Sequence, residues 1–175
     1  MRRIMPVLTA WIWVREVPED KHNEAGKEVP TMKLSEDGKW KELARLWDIT
    51  EACYTGVELP TREMFERIVK GGDVFIPDWA IGEEAVGYAL VTPDTSPLLV
   101  SLAVMPGSRG YGIGKELLQE IAAYYHSLGA REIVLHCKTD NPAQTLYFKE
   151  GYRVTAYLRN YYKPEGDGLE MRKVL

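Results

Sequence analysis

"PGSRGYGIGKELL", residues 106–118, sets glycines at positions 110, 112 and 114 directly ahead of an apolar helical pattern. Such a run has two physical readings. One is close packing of the chain against a neighbouring element. The other is an anion cradle, in which backbone N–H groups and the positive end of a helix face phosphate oxygens that side chains would hold off. Two familiar cradles fit poorly. The phosphate loop of nucleotide hydrolases needs glycine where Arg109 stands and Ser or Thr where Glu116 stands. The dinucleotide fingerprint needs its third glycine at Lys115.

Working outward, Ile113, Leu117, Leu118, Ile121, Ala122, Tyr125 and Leu128 form one apolar helical face that Gly129 ends. Upstream, "DVFIPDWAI", "EAVGYALVTP" and "PLLVSLAVMP" are three strand-like runs divided by turn residues, the pattern of an antiparallel meander. Before them, Trp40, Leu43, Leu46, Trp47 and Ile49 recur near helical spacing with Ser35 as cap, and a second helix starts after Thr61 and ends at Gly71-Gly72. Downstream, "REIVLHCK" reads as a strand, "NPAQTLYFKE" as a short helix closing at Gly151, and "YRVTAYLRNYY" and "LEMRKVL" as two more strands. "PVLTAWIWVREV" and "VPTMKLS" read as an N-terminal hairpin. The order is mixed α and β without repeats, which predicts one α/β domain over 29–175 behind an extension over 1–28.

A chain of 175 residues can bury roughly 70% of its extended surface, enough for a substantial core. Its 26 acidic and 22 basic residues leave a formal charge of -4, and no tract is basic enough to make nucleic acid the expected partner. No apolar run approaches the ~20 residues of a membrane span, so a cytoplasmic protein is expected. Cys53 and Cys137 are the only cysteines, and His22, His126 and His136 lie far from zinc-ligand spacing, so neither a disulfide framework nor a metal is expected.

Arg109, Gly112 and Gly114, placed between a strand ending "LAVMP" and an amphipathic helix, match Q/R-x-x-G-x-G/A. This resembles the acetyl-coenzyme A site of the GNAT acetyltransferase superfamily. "NPAQTLYFKEGY", residues 141–152, resembles that family's later segment independently. The resemblance implies a central, mostly antiparallel sheet, splayed at the cofactor site and flanked by helices. It implies acetyl-CoA as cosubstrate, with pantetheine along Leu102, Ala103 and Val104. The pyrophosphate would lie against Arg109, Gly110, Tyr111, Gly112, Ile113, Gly114 and Lys115, and Asn141 and Tyr147 would complete the cofactor site. A backbone N–H near Val104 would serve the developing oxyanion, and Tyr147 would protonate the leaving sulfur. The plain structural alternative for Tyr147 is packing of a short helix on the sheet.

For the acceptor, "LHCKTDN" resembles the strand of protein N-terminal acetyltransferases, in which the position of His136 acts as base, often through water. Strand alternation puts His136 and Cys137 on opposite faces, which argues against a Cys-His nucleophilic pair. "LRNYYKPEGDGLEM" resembles the ribosomal-protein alanine type, implying that Tyr161 and Tyr162 line a peptide groove opposite Glu58, Leu59 and Pro60, where Glu58 could hold a polar or charged first side chain. The chain departs from relatives in two places: "PLLVSLAV" has no glutamate to deprotonate lysine, and Pro97 stands where one subgroup carries a tyrosine. The expectation is acetyl transfer to a protein or peptide N-terminus by a monomer or homodimer. Acetylation of a small amine and a non-catalytic acyl-CoA-binding regulator are the alternatives.

Overall fold

The computed structural model describes residues 31–54, 59–77, 86–164 and 166–175. The first arm of the predicted N-terminal hairpin, Glu58 and the end of the "DVFIPDWAI" run lie outside them, whereas Thr31–Lys33 of its second arm is a strand that pairs with Phe75–Pro77. Seven strands form one sheet in the order β1-β2-β3-β4-β5-β7-β6: β1 Thr31–Lys33, β2 Asp73–Pro77, β3 Gly87–Thr92, β4 Leu98–Val104, β5 Glu132–Lys138, β6 Arg153–Tyr162 and β7 Gly166–Val174. All neighbours are antiparallel except β4 and β5. The expected meander is therefore β2-β3-β4, and the expected mixed fold class holds.

Among the described residues four α-helices cover the sheet. α1 (Glu36–Cys53) starts where the Ser35 hydroxyl accepts from Gly38 N–H, and α2 (Arg62–Gly71) where Thr61 accepts from Met64 N–H. Both caps are those expected from sequence. α1 and α2 lie on one face over β3 and β4, burying Leu46, Ile49, Phe65 and Val69 with Val74, Tyr88, Leu90 and Ala103. α3 (Ile113–Ser127) and α4 (Gln144–Lys149) lie on the other, where Leu117, Leu118, Ile121 and Tyr147 meet Leu102, Leu135, Cys137 and Met171. Each large aliphatic or aromatic side chain so buried contributes roughly 1.5–3 kcal/mol.

Two expected core residues are outside it. Trp40 is 47% exposed because it lies roughly a third of a turn round α1 from the face centred on Leu46, Ile49 and Thr50. Leu128 is 63% exposed because α3 ends at Ser127 and Leu128 is its cap, followed by Gly129 at φ 84°. Among the described residues no helix covers the same face over β5, β7 and β6, where His136, Glu170 and Arg172 lie.

Candidate active site

The sheet opens where β4 and β5 run side by side. Their ladder consists of Leu98 with Val134 and Leu99 with Leu135, after which β4 continues to Val104 and β5 to Lys138 without further pairing. The divergence coincides with a β-bulge. Leu90 of β3 opposes Ser101 and Val91 opposes Leu99, which leaves Val100 as the extra residue of β4. Strand amides alternate between the two edges, and Met105 N–H bonds to Val86 O on the β3 side. Leu102 and Val104 consequently turn their N–H and C=O groups toward the gap, and Ala103 turns its own toward β3.

A chain of buried hydroxyls fixes this backbone. Thr50 Oγ1 donates to Leu46 O at 2.7 Å and lies 2.8 Å from Tyr88 OH. Ser101 Oγ donates to Tyr88 OH at 3.1 Å and lies 2.8 Å from Tyr54 OH, which reaches Leu102 O at 3.4 Å. Burial, with Tyr88 alongside, pushes the Tyr54 phenol well up, and burial pushes Tyr88 up to about 12, so both remain protonated. At the strand's end, Val104 O accepts from Arg109 Nε at 2.9 Å and from Cys53 Sγ at 3.4 Å. Arg109 thus holds the gap-side carbonyl at the end of β4. Sequence reasoning found Arg109 but not Thr50, Tyr54, Tyr88 or Ser101, which no short motif joins.

The three glycines of the opening stretch do different things. Gly110 and Gly112 have φ of 87° and 86°, the left-handed region that penalises side chains, and a Cβ on either would project into open space. Both are exposed, as is Lys115, while Tyr111 is partly buried and Ile113 is buried. Gly114 faces inward, and its Cβ would stand 3.2 Å from Leu146 Cδ2. The three are therefore bare for different reasons: Gly110 and Gly112 for their left-handed backbone, Gly114 for the packing of α3 on α4. The first-turn N–H groups of α3 have no carbonyl within the helix to bond, so they remain donors aimed past Gly112.

Tyr147 and His136 lie on opposite faces of the sheet. Tyr147 is 1% exposed, stacks edge-on to Tyr152 at 5.9 Å between centroids, and has its phenol pushed well above its usual value by burial and then by Cys137 and Tyr152. Asn141 Oδ1 accepts from Ala143 N–H at 2.8 Å and so shapes the entry to α4. His136 is the first β5 residue past the β4 ladder and faces away from Cys137, which is buried on the α3 side. Its Nδ1 lies 2.8 Å from Tyr161 OH and its Nε2 3.5 Å from Glu170 Oε2. Burial lowers the imidazole's pKa, against the raising influence of Glu170. Tyr162 is buried and packs edge-on to Tyr161, Leu59 is partly buried beside the α1–α2 core, and Pro60 is buried. Among the described residues no group of three or more His, Cys, Asp or Glu could hold a metal, and no helix is long and apolar enough to cross a membrane.

The model of the acetyltransferase (GNAT) family matches residues 43–152, from within α1 to Tyr152. An uncharacterized N-acetyltransferase of Methanocaldococcus jannaschii is 35% identical over 96 residues, 53% of this chain and 62% of that protein. The [ribosomal protein bS18]-alanine N-acetyltransferase of Haemophilus influenzae is 31% identical over 85 residues, 47% of this chain and 58% of that protein. The matches thus span less than two thirds of these relatives. The crystal structure of the ribosomal-protein-S18-alanine N-acetyltransferase from Escherichia coli superposes with a TM-score of 0.71 at 18% identity, covering 82% of this chain and 92% of that one. A GNAT family acetyltransferase from Elizabethkingia anophelis with acetyl-CoA bound gives 0.58 at 21% identity, covering 66% and 84%. At these identities the structural likeness shows the fold.

Proposed function

Since the chain belongs to the GNAT acetyltransferase family, we propose that it moves the acetyl group of acetyl-CoA to the N-terminal α-amine of a protein or peptide. The observation that carries this reading is the pair His136 and Tyr161, joined at 2.8 Å on the open face of the sheet beside the β4–β5 gap. Support for the cofactor comes from the left-handed Gly110 and Gly112 and from the gap-facing amides of Leu102 and Val104.

Acetyl-CoA, when bound, supplies the thioester whose acetyl group is moved. Leu102 and Val104 would hold the pantetheine arm through their backbone groups, and the turn from Gly110 to Lys115 would hold the pyrophosphate with N–H groups. The Val104 N–H, in a backbone pinned by Arg109 and Cys53, would donate to the oxygen on which charge develops. Tyr147, kept protonated by burial, would hydrogen-bond to the departing sulfur from the α4 side. His136, kept neutral by burial near pH 7, would take the amine's proton from the other side.

An α-amine suits this base. About a tenth of such amines are neutral at pH 7, against less than about a thousandth of lysine side chains. The C-terminal resemblance and the bS18-alanine relative point the same way. The test is mass spectrometry of peptide pools incubated with protein and acetyl-CoA. Free N-termini should be acetylated, whereas matched peptides with blocked N-termini and a single lysine should not. Transfer to the lysine pool, or to small amines only, would overturn the assignment.

A further inference from the structure

Both ring nitrogens of His136 are engaged by side chains, and neither partner was expected from the sequence to act on it. Glu170 of β7 sits directly across the ladder from His136, with its Oε2 3.5 Å from Nε2. Glu170 is itself held from two sides: Arg172 Nε donates to its Oε1 at 2.9 Å, and Thr155 Oγ1 donates to the same oxygen at 2.9 Å. Arg172 Nη1 continues to Glu132 Oε1 at 2.5 Å, and Ser96 Oγ donates to that oxygen at 2.9 Å. The stripe crosses β5, β7 and β6 on the face that no helix covers among the described residues, and it ends at the Tyr161 hydroxyl.

We propose that Glu170 is a positioning residue, which fixes the His136 imidazole and balances its charge when it takes the acceptor amine's proton through the Tyr161 hydroxyl. This rests on the acetyl-transfer reading above and adds to it a carboxylate and a route. In the resting arrangement Nε2 carries the ring proton and points it at Glu170, and Tyr161 O–H donates to the Nδ1 lone pair. The acceptor ammonium then gives one proton to the Tyr161 oxygen as the Tyr161 proton passes to Nδ1. The N–H bond breaks to leave the amine's lone pair, the hydroxyl is regenerated, and the imidazolium faces the Glu170 carboxylate. Solvent receives the proton after turnover.

The titratable and charged groups bearing on His136 are Tyr161 of β6 and Glu170 and Arg172 of β7, with Glu132 of β5 behind Arg172. Burial works to raise the pKa of Glu170, but the Arg172 and Thr155 hydrogen bonds, the Arg172 charge and His136 outweigh it, so Glu170 remains a carboxylate at neutral pH. Burial and the Glu170 charge push Tyr161 up to about 12, which keeps its proton in place for the relay. Glu170→Gln keeps the shape and removes the charge.

The first measurement is an NMR titration of the His136 ring nitrogens in wild type, Glu170→Gln and Thr155→Val, without substrate. Wild type should show the Nε2–H tautomer, and Glu170→Gln should titrate at lower pH because its imidazolium has lost a counter-charge. Thr155→Val removes one of the two hydrogen bonds that hold the Glu170 carboxylate but keeps its charge, so it should shift the titration less than Glu170→Gln does. Thermal melting separates a folding defect from a positioning effect. The second is kcat/KM against pH: Glu170→Gln should lose on the order of tenfold at pH 7 and move its acidic limb downward, with KM for acetyl-CoA unchanged. A His136 tautomer and titration unmoved by Glu170→Gln overturn the proposal even in an active enzyme. A moved titration in a protein that acetylates no N-terminus overturns the function proposed above and the relay's part in it, leaving the carboxylate's hold on His136.

Discussion

The turn from Gly110 to Gly114 and the stripe from Tyr161 to Glu170 flank the same gap, yet one is built from backbone and the other from side chains. At the turn the expected donors are amide N–H groups, and the geometry is a pair of left-handed glycines whose neighbours leave open space. Along the stripe every contact is made by a side-chain atom, and the sheet register alone brings them together. A backbone site should fail through strain and obstruction. A side-chain site should fail atom by atom, with its pH dependence changing as it does.

The largest effect is expected from breaking the backbone side. Gly112→Val should cost roughly 1–2 kcal/mol of stability at a left-handed φ and weaken acetyl-CoA binding on the order of a hundredfold, measured by thermal melting and calorimetry. An unchanged affinity would move the cofactor away from the turn. Next comes Tyr147→Phe, which should lower kcat on the order of a hundredfold and leave the acetyl-CoA Kd within about twofold, because only the hydroxyl is lost. A large loss of affinity would make Tyr147 a packing residue.

Tyr161→Phe should be milder, lowering kcat/KM on the order of tenfold, because water can enter where the hydroxyl stood. It sharpens the comparison if acetyl-CoA binding stays constant. Smallest is Gly114→Ala. The nearest atom to the new methyl is the flexible Leu146 Cδ2 at 3.2 Å, and helical propensity favours alanine by about 1 kcal/mol, so stability and acetyl-CoA affinity should both change little. Comparing Gly114→Ala with Gly112→Val separates a packing glycine from a cradle glycine within one motif.

These two regions were unequally legible in the sequence. Helix caps, the α3 face and the glycine spacing are local patterns, and Ser35, Thr61 and the Arg109-to-Gly114 run stand where local chemistry puts them. Arg109 shows the limit: its position was readable, but the turn of its guanidinium onto Val104 O depends on where β4 ends in space. The bulge at Val100 was hidden because "LLVSLAV" is almost uniformly apolar and shows no break of alternation. Glu170 and Arg172 gave one unused signal, since Leu169 and Met171 alternate with them as apolar and polar faces of β7. What the alternation could not supply was the register that sets Glu170 opposite His136, thirty-four residues away in the chain. The Thr50–Tyr88–Ser101–Tyr54 chain was invisible for the same reason, because its members come from three separate elements.

The measurement that tests the division between the two sides most directly is kcat/KM against pH for wild type and His136→Gln, with the acetyl-CoA Kd taken on the same preparations. A base works only when neutral, and burial lowers the pKa of His136, so wild type should hold its rate through neutral pH and lose it only below the ordinary imidazole value of 6.5. In His136→Gln the limb below 6.5 should give way to the titration of the acceptor amine itself at about 7.7 to 8.0, and the rate at pH 7 should fall on the order of a hundredfold, while the Kd stays unchanged. A limb that stays below 6.5 after the substitution, or a Kd that rises with the loss of rate, would contradict the account.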